Sequence, residues 1–371
     1  MSMMDIEAFF SHIKDAENGG RELMSILVKD YGVTKDGEQV KQYILENANG
    51  VKAVLLNYGA VVSELHVPDK EGKLRDVVWG YEKLEGYEVN APNLGAVIGR
   101  NANRTGGAQV TIAGKTYELQ KNEGNNNLHG GEPAYGRRVW KAVIVNDNQV
   151  EFSLFSPDGD QGFPGNAEIK VSYTLSDDNE LLLTYTGKAD QDTVFNLTNH
   201  SYFNLDGEES DSVLDQIVWI DADAYTPADS GLIPTGEIRS VEGTPLDFRT
   251  PTAIGARINE AHESLQAGKG YDLNYVMKDE GAYTLCASMY SKESGIRMEV
   301  RTDAPGMQFY TSNFLEEKGG KNGREYGVRS AACFEAHYFP DATHHENFKS
   351  TIVKAGDIYH LKAGYKFSVE K

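Results

Sequence analysis

Cysteine is almost missing from this chain of 371 residues. Only Cys286 and Cys333 occur, too few to staple a fold of this size and not spaced as a CxxC pair, so a reducing compartment, the cytoplasm, is the expected setting. Long apolar runs are missing as well. No stretch of 18 apolar residues exists, and the first 25 residues carry Asp5, Glu7, Asp15, Glu17 and Glu22 where a leader would be basic and then apolar, so the chain reads as soluble. Positive charge is scarce: 36 basic against 56 acidic residues give a net charge of −20, which repels phosphate backbones and anionic lipid. Neither a GxxxxGK[ST] cradle nor a strand followed by GxGxxG and a helix is present, so no nucleotide-phosphate motif exists.

Helical periodicity is nearly confined to the N-terminus. Ile6, Phe9, Phe10 and Ile13 fall at helical spacing, with Ser2 and Asp5 in capping-box register and Gly19-Gly20 as a stop, so residues 1–22 read as a short amphipathic helix outside the main fold. A second short helical piece is expected around AIGARINEAHESLQ. Elsewhere short β-branched and aromatic stretches, among them VKAVLLNYG, AVVSELHV, AEIKVSYTL, ELLLTYT and IRMEVRT, alternate with DG, GG, PG and NG turn signals. With 38 glycines and no linker or repeat, residues 23–371 read as a single large all-β sandwich domain.

Four stretches carry chemistry. In NLTNHSYFNL (196–205), strand alternation puts Asn196, Thr198, His200, Tyr202 and Asn204 on one face, a row suited to gripping hydroxyl groups. A structural histidine in an Asn-rich turn is the plainer explanation. In CFEAHYFPDA, Cys333, Glu335, His337 and Phe339 share a face, which leaves Glu335 as a single carboxylate among small and aromatic neighbours, a setting that raises a carboxyl pKa. An ion pair of Glu335 with Arg329 is the alternative. GRNANRTGG (99–107) offers Arg100, Asn103 and Arg104, and NEGNNNLHGG (122–131) offers His129; both also read as plain turn chemistry.

Taken together and in this order, GRNANR, NNNLHGG, FNLTNHSYFNL and CFEAHYFPDA resemble the aldose 1-epimerase family, the galactose mutarotases. DGDQGFPG, IDADAYTPADSGLIPTGEI, GYDLNYV and APGMQFYTSNFL agree, and the resemblance runs from about residue 26 to the C-terminus. It implies a galactose mutarotase-like supersandwich with an open cleft. It also implies cofactor-free interconversion of the α and β anomers of free hexoses such as galactose and glucose, as part of hexose metabolism. By that resemblance Glu335 is the base and His200 the acid, with Asn103, Arg104, His129, Tyr202, Asp272 and Gln308 binding the sugar. No metal is implied. The expected partner is a small aldose, not nucleic acid or membrane, with the chain a monomer or weak homodimer.

One departure stands beside the base: His337 replaces the glutamine of many relatives. If close and protonated, it would lower the pKa of Glu335. The same residue opens a rival reading as a metal-dependent sugar isomerase, with Glu335, His337, His344 and His345 plus His129 or His200 as ligands, although the HxH spacing of a barrel metal site is missing. A glycoside hydrolase built on Glu335 and Asp272, a non-catalytic sugar-binding protein and a hexose-phosphate enzyme are further alternatives.

Overall fold

The structure, a computed structural model, describes residues 26–207 and 210–370. The expected N-terminal helix over 1–22 lies outside the described residues. What is described is built from strands. A five-stranded antiparallel sheet runs Leu27–Val33, Gln39–Glu46, Lys52–Leu56, Val61–Pro68, Leu74–Asp76 in simple sequence order. A nine-stranded sheet begins at the edge with Lys141–Asn146, followed by Gln149–Ser156, Ala167–Leu175 and Glu180–Ala189. It then passes to the C-terminal strand Ile358–Val369 before Ile296–Thr302, Thr284–Tyr290, Ile217–Ile220 and Thr252–Ala253.

The third large sheet positions the site. Its order is Arg239–Ser240, Ala224–Thr226, Asp272–Val276, Gly306–Tyr310, Cys333–His337. Antiparallel pairing sets Asn274 beside Gln308 and Gln308 beside Glu335, while Asp272 pairs with Tyr310 and Tyr310 with Cys333. Directly paired residues share a face, so these polar side chains form one surface. The alternate residues Leu273, Tyr275, Met307, Phe309, Phe334 and Ala336 form the other face and enter the core.

Alternation drives the rest of the packing. In Ala167–Leu175 every second residue is buried, from Ala167 through Ile169, Val171 and Tyr173 to Leu175. Residues of all three large sheets, such as Leu55, Tyr173 and Phe309, belong to one continuous apolar cluster. The stretch AIGARINEAHESLQ resolves into a 3₁₀ turn at Ile254–Ala256 and a short helix at Glu263–Ala267. One more short helix, Leu84–Val89, falls where no helical period is visible in the residues. Among the described residues no helix is long and apolar enough to cross a membrane.

Candidate active site

NLTNHSYFNL is not one long strand. Only Thr198–Asn199 pairs as strand, against Val97–Ile98, and the whole segment is buried. The expected row of sugar-gripping amides therefore divides. Asn196 exchanges hydrogen bonds with the main chain of Tyr338, and Asn204 binds the carbonyl of Ser330 while accepting from Gln216. Both amides fasten neighbouring segments, and only His200 and Tyr202 of the row reach the cleft.

The same fastening brings the histidine to the glutamate. Phe203 and Ala332 form an antiparallel bridge, each donating its N–H to the other's carbonyl. Three residues back from Phe203 is His200, and three residues on from Ala332 is Glu335, so the register sets them opposite each other. His200 Nε2 lies 3.6 Å from Glu335 Oε1. Main-chain bonds from His200 N to Ala96 O and from Gly95 N to His200 O lock the histidine from behind. The expected alternative partner, Arg329, instead donates to the carbonyl of Lys269.

Two loops close the opposite wall. Arg104–Thr105 pairs with Asn127–Leu128, which ties GRNANRTGG to NEGNNNLHGG. Asn103 and His129 then bond reciprocally: His129 N donates to Asn103 O, and Asn103 N donates to His129 Nδ1 at 3.2 Å. A Cβ on Gly130, whose φ is +83, would stand 2.4 Å from the carbonyl of Gly99, so only glycine lets this loop lie so close. Arg100, by contrast, is not in the cleft. It is fully buried and its guanidinium binds Pro164 O, Gly165 O, Thr193 Oγ1 and Ser156, holding the DGDQGFPG loop.

The cleft between these walls has a volume of about 230 Å³ and is lined by Asn103, Arg104, His129, His200, Tyr202, Asp272 and Glu335. That is a small-ligand volume, below the roughly 300–1,000 Å³ of drug-sized pockets. Gln308 sits one step behind, its Nε2 donating to Asp272 Oδ1 at 2.6 Å. Tyr202 lies with its ring stacked 5.0 Å from that of His200 and its hydroxyl donating to Pro92 O. Glu123, Tyr310 and Phe314 also line the cleft. No sequence signal marks Tyr310 and Phe314 as cleft residues, and Glu123 lies in a loop whose asparagines and glycines read as turn formers.

Electrostatics set the proton positions. Burial, then repulsion by Asp272, pushes the Glu335 carboxyl well above the usual carboxylate range, with Arg104 opposing; Oε2 has no hydrogen-bond partner. Burial lowers His200 to about 4, and it holds His129 well below the ordinary imidazole value, helped there by His200 and Arg104. His337 is wholly buried, its Nδ1–H donating to Tyr338 O at 2.6 Å, and burial lowers it to about 4. It is therefore neutral, and the condition under which it would depress Glu335 is not met.

His129, His200 and Glu335 each offer a ligand atom within 4.8 Å of the others, the one such grouping in the cleft among the described residues. The amide of Asn103 occupies Nδ1 of His129, which places the proton of that neutral ring on Nε2. Metal ligation through Nε2 would require this bond to break, so the donor set fits a cation poorly. His344 and His345, the other expected ligands, pair with Asp341 instead. A second grouping, Glu64, His66 and Asp76, lies in a separate groove where Lys321 Nζ is 2.5 Å from Asp76, an ammonium that opposes a metal ion.

Residues 41–366 match the family model for aldose 1-epimerase. The chain belongs to the aldose 1-epimerase family, a family of isomerases. It is 42% identical to galactose mutarotase from Bos taurus over 316 residues, 85% of this chain and 90% of that protein. It is 36% identical to aldose 1-epimerase from Escherichia coli strain K12 over 338 residues, covering 90% and 97%. A crystal structure of an aldose epimerase homologue from C. elegans superposes with a TM-score of 0.82 at 30% identity, covering 93% of this chain and all of that one. The all-β supersandwich expected of the family is thus the fold of this member.

Proposed function

We propose that this epimerase interconverts the α and β anomers of a free aldohexose such as galactose or glucose, with Glu335 and His200 as the proton-transferring pair. The observation that carries the reading is their opposition at 3.6 Å, both side chains buried at the floor of the cleft. Ring opening requires a base at the C1 hydroxyl and an acid at the ring oxygen. Glu335 as carboxylate takes the hydroxyl proton while His200 as imidazolium protonates the ring oxygen, and the bond between C1 and the ring oxygen breaks to leave the aldehyde. Rotation about C1–C2 and reclosure, with the two roles reversed, gives the other anomer.

The electrostatics of the cleft hold the same proton count in another place. Glu335 protonated beside neutral His200 carries one proton on the pair, as does carboxylate beside imidazolium, so the two forms are alternative microstates of one charge state. The first is the form left after ring opening. Each positioned proton transfer contributes about 10² to 10⁴ in rate. Arg104 and Asp272 supply a donor and an acceptor for ring hydroxyls, and His129 presents its Nε2–H to the cleft. Both cysteines are free, buried thiols, which supports a cytoplasmic setting.

Polarimetry of freshly dissolved α-D-galactose and α-D-glucose tests the reading. Accelerated decay of rotation, insensitive to EDTA and lost in Glu335→Gln and His200→Asn, is expected. Absence of acceleration for both sugars with folded protein would overturn it.

A further inference from the structure

Glu123 sits in the loop over 122–131, where it bridges Asn126 through the main chain. Its carboxylate grips Arg104 side-on. Arg104 Nε donates to Oε1 and Oε2 at 3.1 and 2.8 Å, and Nη2 donates to Oε1 at 2.7 Å. That leaves Nη1, which stands 4.0 Å from Asp272 Oδ2. The other oxygen of Asp272 already accepts from Gln308.

A separation of 4.0 Å is too long for a hydrogen bond, yet the two side chains are only 12% and 9% exposed, so their attraction is little screened. Free to move, Arg104 would close onto Asp272. Its bidentate attachment to a second carboxylate holds it back. A hydroxyl oxygen about 2.8 Å from each group fits the gap, accepting from Nη1 and donating to Oδ2.

The geometry points to Glu123 as a positioning residue that holds Arg104 off Asp272 and keeps this gap open for a sugar hydroxyl; the inference rests on the sugar-converting reading above. Without Glu123, Arg104 has one carboxylate left to pair with, and the direct contact fills the place of the hydroxyl. Glu123 makes no hydrogen bond to His200 or Glu335, and their separation of 3.6 Å does not depend on it, so the loss falls mainly on sugar binding.

The test is steady-state polarimetry of Glu123→Gln over a range of galactose concentrations, beside the wild type. The expected result is a KM raised about tenfold or more, the scale of one charge-assisted hydrogen bond, with kcat within about twofold and Tm unchanged. An unchanged KM, or a kcat that falls as far as kcat/KM does, overturns the inference. Should that variant not fold, Glu123→Asp keeps the charge and shortens the reach: a raised KM at constant kcat supports the role, and wild-type kinetics overturn it. A wild-type protein inactive on every aldose is a different failure, visible before any variant is made, and removes the functional reading together with this one.

Discussion

His200 Nε2 and Glu335 Oε1 stand 3.6 Å apart, just beyond hydrogen-bonding distance, with His200 Nδ1 and Glu335 Oε2 both lacking partners among the described residues. Two buried groups left this close and this incompletely satisfied hold unspent hydrogen-bonding capacity, which a bound sugar with its ring of hydroxyls can fill. In the proposed reaction the pair works only while it carries one proton.

That count fixes the pH profile. A second proton enters as His200 titrates near pH 4, so the acid limb of kcat/KM should lie near 4, far below the usual 6.5 of imidazole. The basic limb marks loss of the last proton from Glu335, displaced upward from the ordinary carboxylate range. An acid limb near 6.5 in the measured profile would contradict this charge assignment.

Glu335→Gln should abolish turnover, lowering kcat by about 10² to 10⁴, yet stabilise the fold at alkaline pH. With its pKa raised in the folded state, the native protein binds more protons than the unfolded chain above pH 4.5, so stability falls as pH rises toward the folded pKa. Glutamine removes that slope. Melting temperatures of both proteins from pH 5 to 9 should diverge in favour of the variant; parallel curves would count against it.

Tyr202 contributes its ring more than its hydroxyl, which is spent on the carbonyl of Pro92. Tyr202→Phe should keep kcat within a few-fold, whereas Tyr202→Ala, which removes the surface stacked against His200, should lower it by tenfold or more, on the scale of losing a substrate-positioning contact. Equal kinetics for the two variants would refute the packing role.

Arg100→Met should destabilise the protein by about 3 kcal/mol or more without touching the cleft, because the carbonyls of Ser156, Pro164 and Gly165 lose their buried donor. Denaturant unfolding measures it, and a loss below about 1 kcal/mol would show that water replaces the guanidinium.

Much of this molecule is legible from its residues. Period-two patterning located Ala167–Leu175 to the residue, because one face is core and the other solvent. The same logic put Glu335 in a setting that can raise a carboxyl pKa; the direction holds, but the neighbours on that face are polar and Asp272 adds to the burial. It failed at NLTNHSYFNL, where both faces are buried and amides serve neighbouring backbone, a use of asparagine that has no period. It missed Glu123, since a glutamate in a turn looks like any other until Arg104 is seen against it, half-burying it. The meeting of His200 with Glu335 came only from the family resemblance, since register between distant segments is not written in either one.

The bridge of Phe203 with Ala332 has a further consequence, for folding. It joins segments far apart in the chain, with strands of the nine-stranded sheet and of the site-bearing five-stranded sheet between them, so forming those sheets shortens the loop that the bridge must close. A chain cut between Phe203 and Ala332 separates His200 from Glu335, so neither fragment can bring the two together alone. On the proposed mechanism, a partly folded chain in which this bridge is open therefore carries no primitive form of the activity, and competence is gained when the bridge closes.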